Sequence, residues 1–159
     1  MTRLANDDPN SKVITRNKKA RHSYFVDDTY EAGIILMGSE VKSLREGKIA
    51  LTDAYARFVA GELWLMKAHI SPYKQASRDN HEPERDRKLL MHKRELRRLQ
   101  SKVQEAGYTL IPLSLYFKEG KVKVEIGLCR GKKLHDKRES MRKQDDAREM
   151  DRARRERNR

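Results

Sequence analysis

The chain has almost no sulfur chemistry and no long apolar run. Cys129 is its one cysteine in 159 residues. No disulfide can therefore close within the chain, and no thiolate zinc site can be assembled. A lone thiol fits a reducing compartment. No apolar stretch approaches the roughly 18 residues that a membrane-crossing helix needs. The opening residues MTRLANDDPNSK lack the apolar stretch of a secretory signal. We expect a cytoplasmic protein with no membrane partner.

Metal and catalytic signatures are also missing. The histidines are His22, His69, His81, His92 and His135. No two of them stand four apart as on a metal-binding helix, and none is spaced from Cys129 as a ligand pair. There is no glycine-rich phosphate loop and no arguable Ser–His–Asp set. Asp27, Asp28, Glu31 and Glu40 could suggest a metal-dependent phosphodiesterase, which needs carboxylates that converge on the ions. Their spacing follows no such pattern, so they read as surface carboxylates. One of them, set in a basic face, could still accept from a guanine edge or a ribose hydroxyl. We expect no enzyme, no metal and no cofactor.

Apolar residues are scarce at 36%, against roughly 45–50% in an ordinary globular domain. What is present is charge. Lys and Arg number 37 against 24 Asp and Glu, for a net charge of +13 and a pI near 10. A polyanion, with nucleic acid first, is the partner that this balance favours. The excess is unevenly placed. Residues 130–159 hold 13 basic and 7 acidic residues, so almost half of the net charge lies in the last fifth of the chain. That segment has too few large apolar residues to offset an ordering cost of about 1–2 kcal/mol per residue. Its residue types nonetheless favour helix. We expect a tail, 131–159, that is disordered when free and folds on a partner.

The rest reads as hairpins with helices between them. Residues 1–12 are a polar lead-in, expected to be disordered. Residues 23–37 are rich in β-branched and aromatic types and are interrupted by Gly33, which suggests two strands or one bent strand. Ser39 is placed to cap a two-turn helix that Gly47 ends. Residues 54–59 and 62–68 flank Ala60-Gly61 as a hairpin. Residues 71–83 form a long polar loop. In the segment 84–106, Leu89, Leu96, Leu99, Val103 and Ala106 make an apolar stripe that predicts one helix, stopped by Gly107. Residues 109–117 and 121–129 alternate clearly and turn at Gly120, with Pro112 marking an edge or bulge. The expected fold is mainly β, a small closed antiparallel barrel of the OB type over residues 13–130 with peripheral helices. Such barrels commonly bind oligonucleotides.

Arg16-Asn17-Lys18-Lys19-Ala20-Arg21-His22, running into Tyr24, combines cations, an amide and aromatic groups. That mixture suits phosphate contacts and base stacking. It equally suits a solvated arm. The basic face of the 84–106 segment presents the same choice.

Longer strings carry more. RNKKARHSY, YEAGIILMGSEVKSLREGK, HISPY, the Arg87–Leu90 stretch and VKVEIGLCRGKKLHDKRE closely resemble the SsrA-binding protein (small protein B) family, in order and spacing, from about Val13 to the end. The resemblance implies an OB-type barrel that grips the tRNA-like domain of transfer-messenger RNA. It implies a tail that orders in the decoding centre of a stalled ribosome and enters the empty mRNA channel. It also implies a monomer without enzymatic activity. Asn17, Lys18, Lys19, Arg21 and Tyr24 match the family's RNA-facing motif, and Glu31 its RNA-binding carboxylate. Tyr55, Lys88 and Met91 lie where the family presents further residues to the RNA, with Met91 standing where Leu is common. Gly131, Lys132, Lys133, His135, Asp136, Lys137 and Arg138 match the tail motif that meets the ribosome. Two other readings stay open at this stage: a general OB-fold RNA-binding translation factor, and a nuclease using Asp27, Glu31 and Glu40.

Overall fold

A computed structural model describes residues 9–76, 80–105, 107–132 and 134–158. Strand β1 (Ser11–Arg16) opens inside the segment expected to be irregular, because Val13, Ile14 and Thr15 are β-branched and find a partner strand. A six-residue helix, α1 (Lys18–Ser23), follows. Asn17 starts it by accepting a hydrogen bond from the Ala20 N–H at 3.2 Å. Strand β2 (Tyr24–Ile34) is a single strand of 11 residues. Its irregularity lies between Val26 and Asp28, not at Gly33.

Helix α2 (Gly38–Arg45) ends as expected, with Gly47 at φ +71°. Its start differs from expectation. The N-cap is Met37, whose N–H donates to the Glu40 carboxylate at 2.8 Å. Ser39 instead faces inward, 2.9 Å from His81 Nδ1. A buried acceptor for its hydroxyl outweighs the capping position.

β3 (Ile49–Ala50) pairs with β6 (His69–Ile70) in a small separate sheet. β4 (Tyr55–Val59) and β5 (Glu62–Met66) form the expected hairpin. Ala60 and Gly61 at φ +50° and +78° make its two-residue turn, whose twist matches that of the strands.

The segment 84–106 is not one helix. Arg87–Leu90 is a strand, β7, and the helix α3 covers only Lys93–Val103. Leu89 is the reason that the periodicity misleads. It is 2% exposed and lies in the same core as Leu99, but reaches it from a strand that pairs with both β5 and β2. Alternation over four residues is too short to compete with a stripe read across twenty. The hairpin of β8 (Tyr108–Lys118) and β9 (Lys121–Gly131) turns at Glu119 and Gly120, both at positive φ. Pro112 stands at a bulge, where the register shifts before Ser114. α4 (Leu134–Arg157) completes the chain as one helix of 24 residues.

The seven-stranded antiparallel sheet runs β1-β8-β4-β5-β7-β2-β9, and β9 also pairs with β8. Its main core holds Leu44, Leu63, Leu65, Leu99, Leu110, Val124 and Ile126. The β8 bulge lets Leu110 and Leu115 face this core although they stand an odd number of residues apart. Ile111 and Leu113 face the other way and join Ala20 and Cys129 under α1. No helix of the described residues is long and apolar enough to cross a membrane.

Candidate RNA interface

The basic motif at α1 is held by its amide. Asn17 is only 7% exposed. Its Nδ2 donates to the carbonyls of Leu51 at 3.2 Å and Pro112 at 3.0 Å, while its backbone N–H donates to Leu113 O at 2.7 Å. The residue that reads as an RNA contact is thus a pin between α1 and the β8 bulge. Around it Lys18, Lys19 and Arg21 are exposed. Lys19, Tyr24 and Tyr55 line one cleft of about 330 Å³ with Asn17, Thr52 and Asp53. The fold therefore joins Tyr55 to the α1 motif across 31 residues of sequence. Two phenols beside a lysine offer stacking faces next to a phosphate contact.

A second, larger groove of about 740 Å³ contains Glu31 and Met91. Ile34, Leu36 and Leu90 give it an apolar wall, and Lys121 and Lys123 a cationic rim. Glu31 does not stand free there. Its carboxylate accepts from the Tyr116 hydroxyl and lies 3.3 Å from Lys118 Nζ. Those partners orient it while the groove leaves it accessible. Glu31 and Tyr24 lie seven residues apart on β2, roughly 20 Å at about 3.3 Å per residue. Lys121 and Lys123 escaped the sequence reading, although they alternate with the inward residues of β9. That alternation was a signal that both point outward.

Lys88 does not join this groove. It sits on β7, with its Nζ 2.9 Å from Glu62. The candidate carboxylates likewise do not converge. Asp27 is held by Arg130, at 2.8 and 3.1 Å, and by the Tyr108 hydroxyl at 2.9 Å. These hydrogen bonds, from Arg130 first, keep its carboxyl below the usual range. Glu40 is fully buried between Arg85 and Arg87. Burial alone would raise its carboxyl, but hydrogen bonds from Arg85, the Met37 N–H and Arg87 lower it below the ordinary value. Arg87 has no exposed surface and also donates to Ala68 O at 2.8 Å and Pro83 O at 3.0 Å. This group ties α2 to β7 and to the loops at Ala68 and Pro83, and the Glu40 carboxylate itself is closed to solvent. Burial pushes the Cys129 thiol up to about 11, which keeps it in the unreactive protonated form.

The start of the tail is clasped to α1. The Lys132 N–H donates to Ser23 O at 2.9 Å, and its Nζ to Arg21 O at 3.2 Å. The same ammonium lies 5.1 Å from the Phe25 ring centroid, with Arg130 at 5.8 Å from that ring. A cation at the carboxyl end of a helix and over an aromatic face is favourable on both counts. Gly131 ends β9 opposite Tyr24. Lys133 lies outside the described residues. His135, Asp136 and Lys137 fall in the first turns of α4, and Arg138 follows, exposed.

Known proteins give this geometry a setting. The family model for "SmpB protein" matches residues 14–156. The SsrA-binding protein of Carboxydothermus hydrogenoformans is 57% identical over 142 residues, covering 89% of this chain and 95% of that one. The SsrA-binding protein of Geobacillus thermodenitrificans is 53% identical over 146 residues, covering 92% and 94%. A solved chain described by the words "tmRNA-SmpB: a journey to the center of the bacterial ribosome" is 55% identical. It superposes with a TM-score of 0.65, covering 76% of this chain and 85% of that one.

Proposed function

The chain belongs to the SmpB family, and we propose that it binds the tRNA-like domain of transfer-messenger RNA and delivers it to stalled ribosomes. The observation that carries this reading is the match itself, which runs from β1 through nearly all of α4. Sheet and tail are both accounted for by one family. The relatives it matches are named for binding SsrA, and the solved chain for its place with transfer-messenger RNA in the ribosome.

The division of labour follows from the charge. Lys18, Lys19 and Arg21, with Tyr24 and Tyr55, take one stretch of RNA backbone and its exposed bases. Glu31 accepts a hydrogen bond from a base edge or ribose hydroxyl, beside Met91. Asn17 acts through position, holding α1 where its neighbours can reach. Lys88 adds positive potential from β7. Gly131, Lys132, Lys133, His135, Asp136, Lys137 and Arg138 open the tail that meets the decoding centre, and the rest enters the empty mRNA channel. Fully helical, 29 residues span about 44 Å at 1.5 Å per residue. In this reading α4 is stable only on its partner, because its large apolar side chains among the described residues, Met141 and Met150, are exposed.

The round of pairings β8-β4-β5-β7-β2-β9 and back to β8 supports a closed barrel of the OB type. That unit spans residues 13–130 together with Ser11 and Lys12, which pair with β8 at the start of β1. The protein acts as a monomer in the cytoplasm, and its role is binding without catalysis. The test compares its affinity for transfer-messenger RNA with that for bulk tRNA, with and without magnesium. Strong preference for transfer-messenger RNA, without cleavage, is expected. Equal affinity would reduce the protein to a general RNA binder. Magnesium-dependent cleavage would make it a nuclease.

A further inference from the structure

Helix α3 carries a face that the two clefts do not use. Lys93–Val103 holds five Lys or Arg residues and one carboxylate, Glu95. Leu96, Leu99 and Val103 lie on one side and pack into the core, with Leu99 at 0% exposure. Arg94, Arg97 and Arg98 stand three and four residues apart, which puts them together on the opposite side. All three are exposed.

Nothing within the described residues neutralises them. Among the described residues the guanidinium groups of Arg94, Arg97 and Arg98 make no ion pair or hydrogen bond; the Ser101 hydroxyl reaches only the Arg97 carbonyl, at 3.1 Å. Glu95 lines the Glu31 groove instead. The arrangement disfavours the helix electrostatically. Arg94–Arg97 and Arg94–Arg98 are like charges at neighbouring positions, and Lys93 and Arg94 occupy the positive end of the helix dipole. A face kept only for solubility would mix both signs. Departure from a local rule without compensation inside the fold points to a partner.

The partner's chemistry is constrained. A membrane-surface helix needs an exposed apolar side, and the apolar side of α3 is in the core. Three guanidinium groups within about one turn suit successive phosphates of one strand, which they can grip by paired hydrogen bonds. The first turn of α3 also borders the Glu31 groove, through His92 and Glu95. We propose that Arg94, Arg97 and Arg98 form a phosphate rail on α3 that continues the Glu31 groove and holds the backbone of the same RNA. This rests on the RNA-binding reading above.

The experiment measures binding of the full chain to transfer-messenger RNA across a salt series, for wild type and for Arg94→Gln/Arg97→Gln/Arg98→Gln. At fixed salt the variant should bind at least about tenfold more weakly, and its log–log salt slope should be shallower by about 2 to 3. Arg94→Lys/Arg97→Lys/Arg98→Lys should keep the wild-type slope. The glutamine variant should melt no earlier than wild type, because it relieves like-charge repulsion. If it does melt early, Arg97→Gln alone carries the test, with a slope change of about 1. Wild-type affinity and slope in the glutamine variant would overturn the rail. So would a lysine variant whose slope falls as far as the glutamine one. Failure of wild type itself to prefer transfer-messenger RNA would instead overturn the reading on which the rail rests.

Discussion

Two basic helices of this chain, α3 and α4, differ in how they are held. α3 has 11 residues, and its apolar stripe ends in the main core. α4 has 24 residues, with Met141 at 52% and Met150 at 67% exposure. Its attachment is at its root, where Lys132 meets the end of α1. Similar residue types therefore give a cationic face packed on the core in one place and a helix attached near its root in the other. The difference comes from a few leucines, since helix propensity contributes little beside burial of an apolar face.

That contrast can be broken most completely by removing the arm. Deletion of residues 131–159 should reduce peptide tagging on stalled ribosomes to background. Transfer-messenger RNA affinity should stay within about twofold, because neither cleft is lined by a residue beyond Lys123. A binding assay and a tagging assay on the same preparation check both halves.

The next largest effect falls on the strand that leads into α3. Glu40→Gln leaves Arg87 buried without a carboxylate partner, and a loss of about 3–5 kcal/mol is expected in urea unfolding. The pH dependence has a defined sign. The Glu40 carboxyl lies below its ordinary 4.5 in the folded state. Its contribution is therefore complete above that ordinary value, and is lost as pH falls through the lower folded-state value. Wild type should lose stability over that acid range more steeply than Glu40→Gln.

The comparison itself is sharpened by paired truncations. Leu99→Ala should cost about 2–5 kcal/mol through the cavity it leaves under α3. Met150→Ala, on α4, should stay within about 0.5 kcal/mol of wild type. Equal costs would mean that α4 is buried against a surface after all.

The smallest effect on stability, and the most local, should come from Lys132→Ala. Unfolding should shift by less than about 0.5 kcal/mol. The direction in which the tail leaves should nonetheless spread. Spin labels at Glu105→Cys and Asp145→Cys report this as a broader distance distribution. Buried Cys129 should not compete for label.

Much of this architecture was legible in residue order. The β4–β5 and β8–β9 hairpins follow from alternation around turns with left-handed residues, which is local physics. The concentration of positive charge in residues 130–159 needs only counting. So does the shortage of large apolar residues in 131–159. Tertiary structure decided the rest. Arg87–Leu90 became a strand because β5 and β2 offered it partners on both sides, and no periodicity within the segment records that. Asn17 became a pin because the bulge at Pro112 presents carbonyls to it from 95 residues away. Glu31 gained Tyr116, Lys118 and the lysine rim of β9 through strand pairing, and Glu40 gained two arginines where α2 packs on β7 and the residues before it. Composition determines how much charge a chain carries and where along its length. Which charges are buried, paired or left facing a partner depends on contacts between residues far apart in sequence, and only the closed set of those contacts decides it.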